Sequence, residues 1–173
     1  MHEKPCYTTT YGGINMKIQK TNAMRFLDTH KIDYDVFTYD HGKDAVDGVS
    51  VASLLNQDPE QVFKTLVTVA NTKEYFVFVI PVAEELDLKK AAKVAGVKNI
   101  EMIHVKDINK ITGYIRGGCS PIGMKKQFPT FIHETCILFD TIMFSGGKIG
   151  YQISMNPEQL FDLIQAKPAD IIK

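Results

Sequence analysis

Apolar positions along the chain change period several times, and the changes divide it into short elements. Between Asn22 and Lys31, Ala23, Phe26 and Leu27 recur at helical spacing, with Met24 on the same side, which predicts an amphipathic helix. Tyr34–Tyr39 alternates as a short strand, and Val46–Leu55 returns to a helical pattern. Asp58-Pro59-Glu60-Gln61 carries a helix-start signature: an Asp cap, Pro at the first position and Gln three residues after the cap. Any helix there must be short, because Val62–Ala70 becomes β-branched and apolar. Lys64–Ala70 and Tyr75–Val82, joined by Asn71-Thr72-Lys73-Glu74, read as an antiparallel hairpin.

Asp87 caps a predicted helix through Lys93 that ends at Gly96. A strand over Ile100–Ile103 and a helix over Val105–Ile111, stopped by Gly113, follow. Thr130–His133 and Thr141–Ser145 are strand-like, and Gly146-Gly147 joins the second of them to a strand over Lys148–Met155 by a tight turn. Asn156 caps a last helix, Pro157–Ala166. Hairpins dominate and βαβ units do not repeat, so the expected fold is mixed α/β (α+β), a largely antiparallel sheet with helices packed on it. No internal repeat or linker divides it. Residues 1–15 are polar and rich in Thr and Gly, and read as a flexible leader before one domain over residues 16–173.

Composition narrows the function. The 45% hydrophobic and 23% charged fractions are those of a globular protein, and no apolar run reaches the length of a membrane span. Lys plus Arg and Asp plus Glu balance at 20 each, so any contact with nucleic acid must be local. Three cysteines, Cys6, Cys119 and Cys136, form no CxxC pair, which fits a reducing, cytoplasmic setting. Five scattered histidines show no metal-ligand spacing, so a metal site is not expected.

Two features carry candidate chemistry. The loop Gly117-Gly118-Cys119-Ser120-Pro121-Ile122-Gly123 can present successive N–H groups to an anion or oxyanion, or can simply be a tight connection. It is not a serine elbow: Pro121 follows Ser120 and has no N–H to donate, and Ile122 stands where that pattern ends in Gly. Cys119 is the more reactive side chain, but no Cys–His signature supports it as a nucleophile. Lys64 heads an apolar strand, either as a solvated strand end or as a fixed cation for a phosphate or developing oxyanion, with the Thr65 hydroxyl beside it. Ser145-Gly146-Gly147-Lys148 is a second small turn with a cation. Lys89, Lys90 and Lys93, with Lys125-Lys126, form the only plausible track for an RNA backbone.

Taken in order, these segments resemble the YbaK family of freestanding aminoacyl-tRNA deacylases from about Lys17 to the carboxyl end. The resemblance rests on Thr38-Tyr39-Asp40-His41, Phe63-Lys64-Thr65-Leu66, Pro81-Val82-Ala83, Leu86-Asp87-Leu88-Lys89-Lys90, Thr112-Gly113-Tyr114 leading into the Gly117–Gly123 loop, and Phe144-Ser145-Gly146-Gly147-Lys148. It implies a curled, mostly antiparallel sheet or partial barrel flanked by helices, the fold of the editing domain of bacterial prolyl-tRNA synthetases. It also implies an activity, the removal of cysteine wrongly attached to tRNA(Pro).

Carried over by position, the resemblance implies that Lys64 is the catalytic lysine. Tyr39, Thr65, Gly117, Gly118, Cys119, Ser120, Pro121, Gly123, Ser145 and Gly146 would surround the aminoacyl end. It further implies that the substrate's own thiol attacks the ester, with no metal or organic cofactor. The implied partners are aminoacyl-tRNA, in particular tRNA(Pro), with prolyl-tRNA synthetase as a second candidate, and no membrane. The chain departs from the family pattern at Gln152, where close relatives often carry Asp, and at Cys119, where aliphatic residues are common. Two alternatives stay open: a water-using deacylase for another small aminoacyl group such as alanine, and a non-catalytic module that docks on a synthetase.

Overall fold

The computed structural model describes residues 8–11 and 14–173, with side chains from Ile18 onward. Ten strands and five helices are described: β1 Thr8–Tyr11, β2 Ile14–Lys17, α1 Asn22–Thr29, β3 Asp35–Thr38, α2 Gly48–Leu54, β4 Phe63–Ala70, β5 Tyr75–Pro81, α3 Leu88–Ala95, β6 Ile100–Met102, α4 Ile108–Thr112, β7 Thr130–His133, β8 Ile142–Ser145, β9 Tyr151–Met155, α5 Pro157–Leu163 and β10 Lys167–Ala169. Of the expected leader, residues 1–7, 12 and 13 lie outside the described residues; β1 and β2 pair antiparallel.

Local chemistry sets most boundaries. Thr21 accepts the Met24 N–H at the start of α1, Asp87 accepts the Lys89 and Lys90 N–H groups at the start of α3, and Asn156 accepts the Glu158 N–H before Pro157 in α5. Gly96 and Gly113 end α3 and α4 in the left-handed conformation, as their sequence positions predict.

Two expected elements differ. Asp58 does cap, accepting the Glu60 N–H at 2.9 Å, but only one turn follows before Val62 enters the sheet. The side-chain amide of Gln61 donates to the Thr141 carbonyl at 2.7 Å, and the Gln61 carbonyl accepts the Met143 N–H, so tertiary bonds take over where a helix would have continued. The strand after Ser145 begins at Tyr151 rather than Lys148, and the connection is the five-residue loop 146–150 rather than a two-glycine turn. Its closure is the Gly146 N–H donating to the Tyr151 carbonyl at 2.8 Å.

The larger sheet has the order β10-β7-β5-β4-β6 and the smaller the order β3-β9-β8. The pairs β4–β5, β4–β6, β3–β9 and β8–β9 are antiparallel, whereas β7 runs parallel to both β5 and β10. A bridge between Val62 and Met143 joins the two sheets, which curl around one core without closing into a barrel. Strand β5 is covered on both faces. Val77 and Val79 join Leu27, Ile132, Phe144 and Ile153 in the main core, while Phe76, Phe78 and Ile80 pack with Ala91 and Ala92 of α3. A small third cluster, Ala52, Val62, Val82 and Met143, seats α2 where the sheets meet.

Candidate functional site

The sheet junction leaves a cleft of about 130 Å³ lined by Tyr39, Val46, Gly48, Val51, Val62, Phe63, Lys64, Thr65, Val82, Gly117, Cys119, Ser145 and Gln152. That is well below the usual volume of a drug-sized site and suits a small terminal group. Every wall comes from a different element. Lys64 and Thr65 stand at the start of β4, with Lys64 opposite Ile80. Ser145 ends β8 directly opposite Gln152 on β9. Tyr39 follows β3 and is tied by its N–H to the Gly150 carbonyl at 3.0 Å.

Of the residues expected around the site, Tyr39, Lys64, Thr65, Gly117, Cys119 and Ser145 meet in this cleft. Gly118, Ser120, Pro121, Gly123 and Gly146 lie outside its lining. A β-carbon on Gly118 would stand 3.1 Å from the Lys148 and Ile149 backbone. Ser120 is fully buried with its hydroxyl unpaired. Gly123, with φ +71°, packs against the Tyr114 hydroxyl and the first residues of α1. The Gly146 carbonyl accepts the Thr21 hydroxyl at 2.6 Å, which joins the start of α1 to the second glycine turn. These residues shape the loops from behind, and the Tyr114 hydroxyl clips the main loop by donating to the Ile122 carbonyl at 2.6 Å.

Electrostatics divide the lining. Burial lowers the Lys64 pKa from its ordinary value, and Glu85 and then Glu84 pull it back up. Burial pushes the Cys119 thiol up to about 11, so at neutral pH it is a thiol and a poor nucleophile. Gly118 uses its N–H on the Ile115 carbonyl at 3.0 Å, whereas among the described residues no acceptor takes the Gly117 or Cys119 N–H. Two lining residues, Thr65 and Gln152, bury a side-chain oxygen with no hydrogen-bond partner. Among the described residues, the cleft lining contains one cation, Lys64, and no carboxylate or histidine. No cluster of three His, Cys, Asp or Glu side chains suited to a metal occurs among them, and no helix is long and apolar enough to cross a membrane.

Sequence reasoning missed the apolar wall of Val46, Gly48, Val51, Val62 and Val82. The one signal available was Gly48 itself, a glycine in the first turn of a predicted helix where close packing is the usual reason.

Comparison with known proteins adds a lineage. The aminoacyl-tRNA editing domain family matches residues 43–163. A protein of Enterococcus faecalis (strain ATCC 700802 / V583), named "Putative Cys-tRNA(Pro)/Cys-tRNA(Cys) deacylase EbsC", is 48% identical over 153 residues, 88% of this chain and 93% of that protein. The crystal structure of "a putative trans-editing enzyme for prolyl tRNA synthetase" superposes with a TM-score of 0.76 at 21% identity, covering 90% of this chain and 99% of the other. That of "hypothetical protein APE2540" gives 0.79 at 18% identity, covering 88% and 100%. At these identities the two structures bear on the fold alone.

Proposed function

The chain belongs to the aminoacyl-tRNA editing domain family, and from that premise we propose that it removes cysteine from mischarged tRNA(Pro) in trans, in the cytoplasm where tRNA is charged. The observation that carries this reading is the make-up of the cleft: a cation and free backbone donors, without a base or an activated nucleophile among its described lining residues. Such a site can orient an ester and stabilise charge, but it does not itself supply the attacking group.

A cysteinyl ester brings its own. Its thiol sulfur bonds to the ester carbonyl carbon, the bond from that carbon to the ribose oxygen breaks, and the thiol proton passes to the departing ribose hydroxyl. The products are a cyclic thiolactone and free tRNA. Lys64 stabilises the oxyanion or the terminal phosphate, and the Gly117 and Cys119 N–H groups hold the carbonyl oxygen. The near-neutral overall charge suits a tRNA presented by prolyl-tRNA synthetase rather than captured by a broad basic surface.

The test is a panel of tRNA(Pro) charged with cysteine, alanine and proline. Rapid release of cysteine, with alanine and proline retained, is the expected result. Release of alanine at the rate of cysteine overturns the thiol-assisted route, and an inert protein overturns the deacylase reading.

A further inference from the structure

Gln152 is 6% exposed, lines the cleft, and buries its amide oxygen without a hydrogen-bond partner. Its backbone is held between Phe37 of β3 and Ser145 of β8, so the strand fixes where the side chain starts. An unpaired buried amide oxygen costs about 1–3 kcal/mol and calls for an explanation, which a ligand entering the cleft would supply. The last side-chain torsion of glutamine is soft, so the oxygen and nitrogen of the amide exchange places easily and either can be offered to the cleft.

We infer that Gln152 binds the α-amino group of the aminoacyl ester, accepting its hydrogen bond through the amide oxygen. The inference rests on the deacylase reading above. The donors in the cleft, Lys64 and the Gly117 and Cys119 N–H groups, suit the carbonyl oxygen and offer no acceptor to an ammonium. An amine needs an acceptor. The usual partner, a carboxylate, does not occur among the described lining residues, and one lone pair of the Ser145 hydroxyl is taken by the Gly147 N–H at 3.3 Å. Among the described lining side chains, the buried oxygens without a partner are Gln152 Oε1 and Thr65 Oγ1. Of the two, Gln152 is the longer side chain and stands on the smaller sheet, whereas Thr65 is the chain neighbour of Lys64 and shares the wall that repels an ammonium. The α-amine is the strongest donor of a cysteinyl group, because a thiol donates weakly.

The test compares wild type, Gln152→Leu and Gln152→Glu on tRNA(Pro) carrying either cysteine or 3-mercaptopropionate, which keeps the thiol and lacks the amine. Leucine fills a similar volume without the orphaned oxygen, so the expected melting temperature is unchanged or higher. On the cysteinyl ester Gln152→Leu loses about 10–100-fold in kcat/KM, and Gln152→Glu, which keeps the acceptor, retains activity. On the mercaptopropionyl ester wild type and Gln152→Leu react alike. Equal loss on both esters, or no loss on either, overturns the amine contact. A wild-type protein inert toward both esters overturns the deacylase reading itself, and this inference with it.

Discussion

Gly48 lies so close to Val82 that a β-carbon on it would stand 2.4 Å from Val82 Cγ1 and 2.7 Å from its Cβ. Both residues line the cleft, one from the first turn of α2 and the other just after β5. Alanine in a helix is ordinarily better than glycine by up to ~1 kcal/mol, so propensity alone favours Gly48→Ala. The clash decides otherwise. Valine is stiff about its first torsion, and overpacking costs about 1–3 kcal/mol. Gly48→Ala is expected to lower the melting temperature and to raise KM several-fold as Val82 or α2 moves; a more stable variant with unchanged KM contradicts this packing.

Lys64→Ala should abolish most deacylation while leaving the fold intact. Loss of one charge-stabilising group costs on the order of 10²–10³ in rate. Single-turnover kinetics on Cys-tRNA(Pro), with circular dichroism as the fold control, check it, and unchanged turnover removes the lysine from the site.

Cys119→Ser should retain near-normal activity. With its thiol held neutral by burial, Cys119 contributes its backbone N–H and its volume, both of which serine keeps. Alkylation at pH 8 is expected to be much slower than for a free thiol. Complete inactivation of the serine variant would restore the nucleophile.

Stability should fall on the alkaline side. Burial pushes Cys119 and Cys136 from 9.0 to about 11 and pushes the Tyr114 phenol up further. The folded state holds these protons more tightly than the unfolded chain, so their contribution is fully present below about pH 9; the cysteines' share is lost as the pH rises through about 11 and the phenol's at still higher pH. Lys64 acts in the opposite sense, since its folded pKa is lowered, but it is one partly exposed group against three. Denaturant midpoints measured from pH 8 to 11 should decline, and a flat profile contradicts the burial of these groups.

Tyr114→Phe removes the clip across the main loop. The Ile122 carbonyl loses its buried donor, at a cost of about 1–3 kcal/mol. The melting temperature should drop, and KM should rise more than kcat falls, because the Gly117–Cys119 segment is positioned rather than altered.

The elements easiest to read from sequence are those whose ends carry their own chemistry. The Asp87 and Asn156 caps, the stops at Gly96 and Gly113, and the β4–β5 hairpin are all local, and all stand near their predicted places. The parallel pairings of β7 with β5 and β10 are not local, and no turn between neighbours announces them. At Asp58 a real cap signal was overridden by tertiary bonds to Thr141 and Met143. Within the site, Lys64 was legible only through the family resemblance, since a lysine at the head of an apolar strand reads equally as a solvated strand end. The apolar wall was not, since Val51 and Val82 are written like any core valine.

The pairing of β5 with β7 also orders events during synthesis. Val77–Val79 meets its parallel neighbour only when Thr130–Ile132 is made, some 49 residues after Pro81. At ~5–20 residues per second, the apolar edge of a freshly formed β4–β5 hairpin stays open for several seconds on the ribosome. An edge of that kind is a template for unwanted strand addition. The stretch that spans the interval, including the Gly117–Gly123 loop, therefore sets how long the nascent chain stays vulnerable as well as where a substrate will sit.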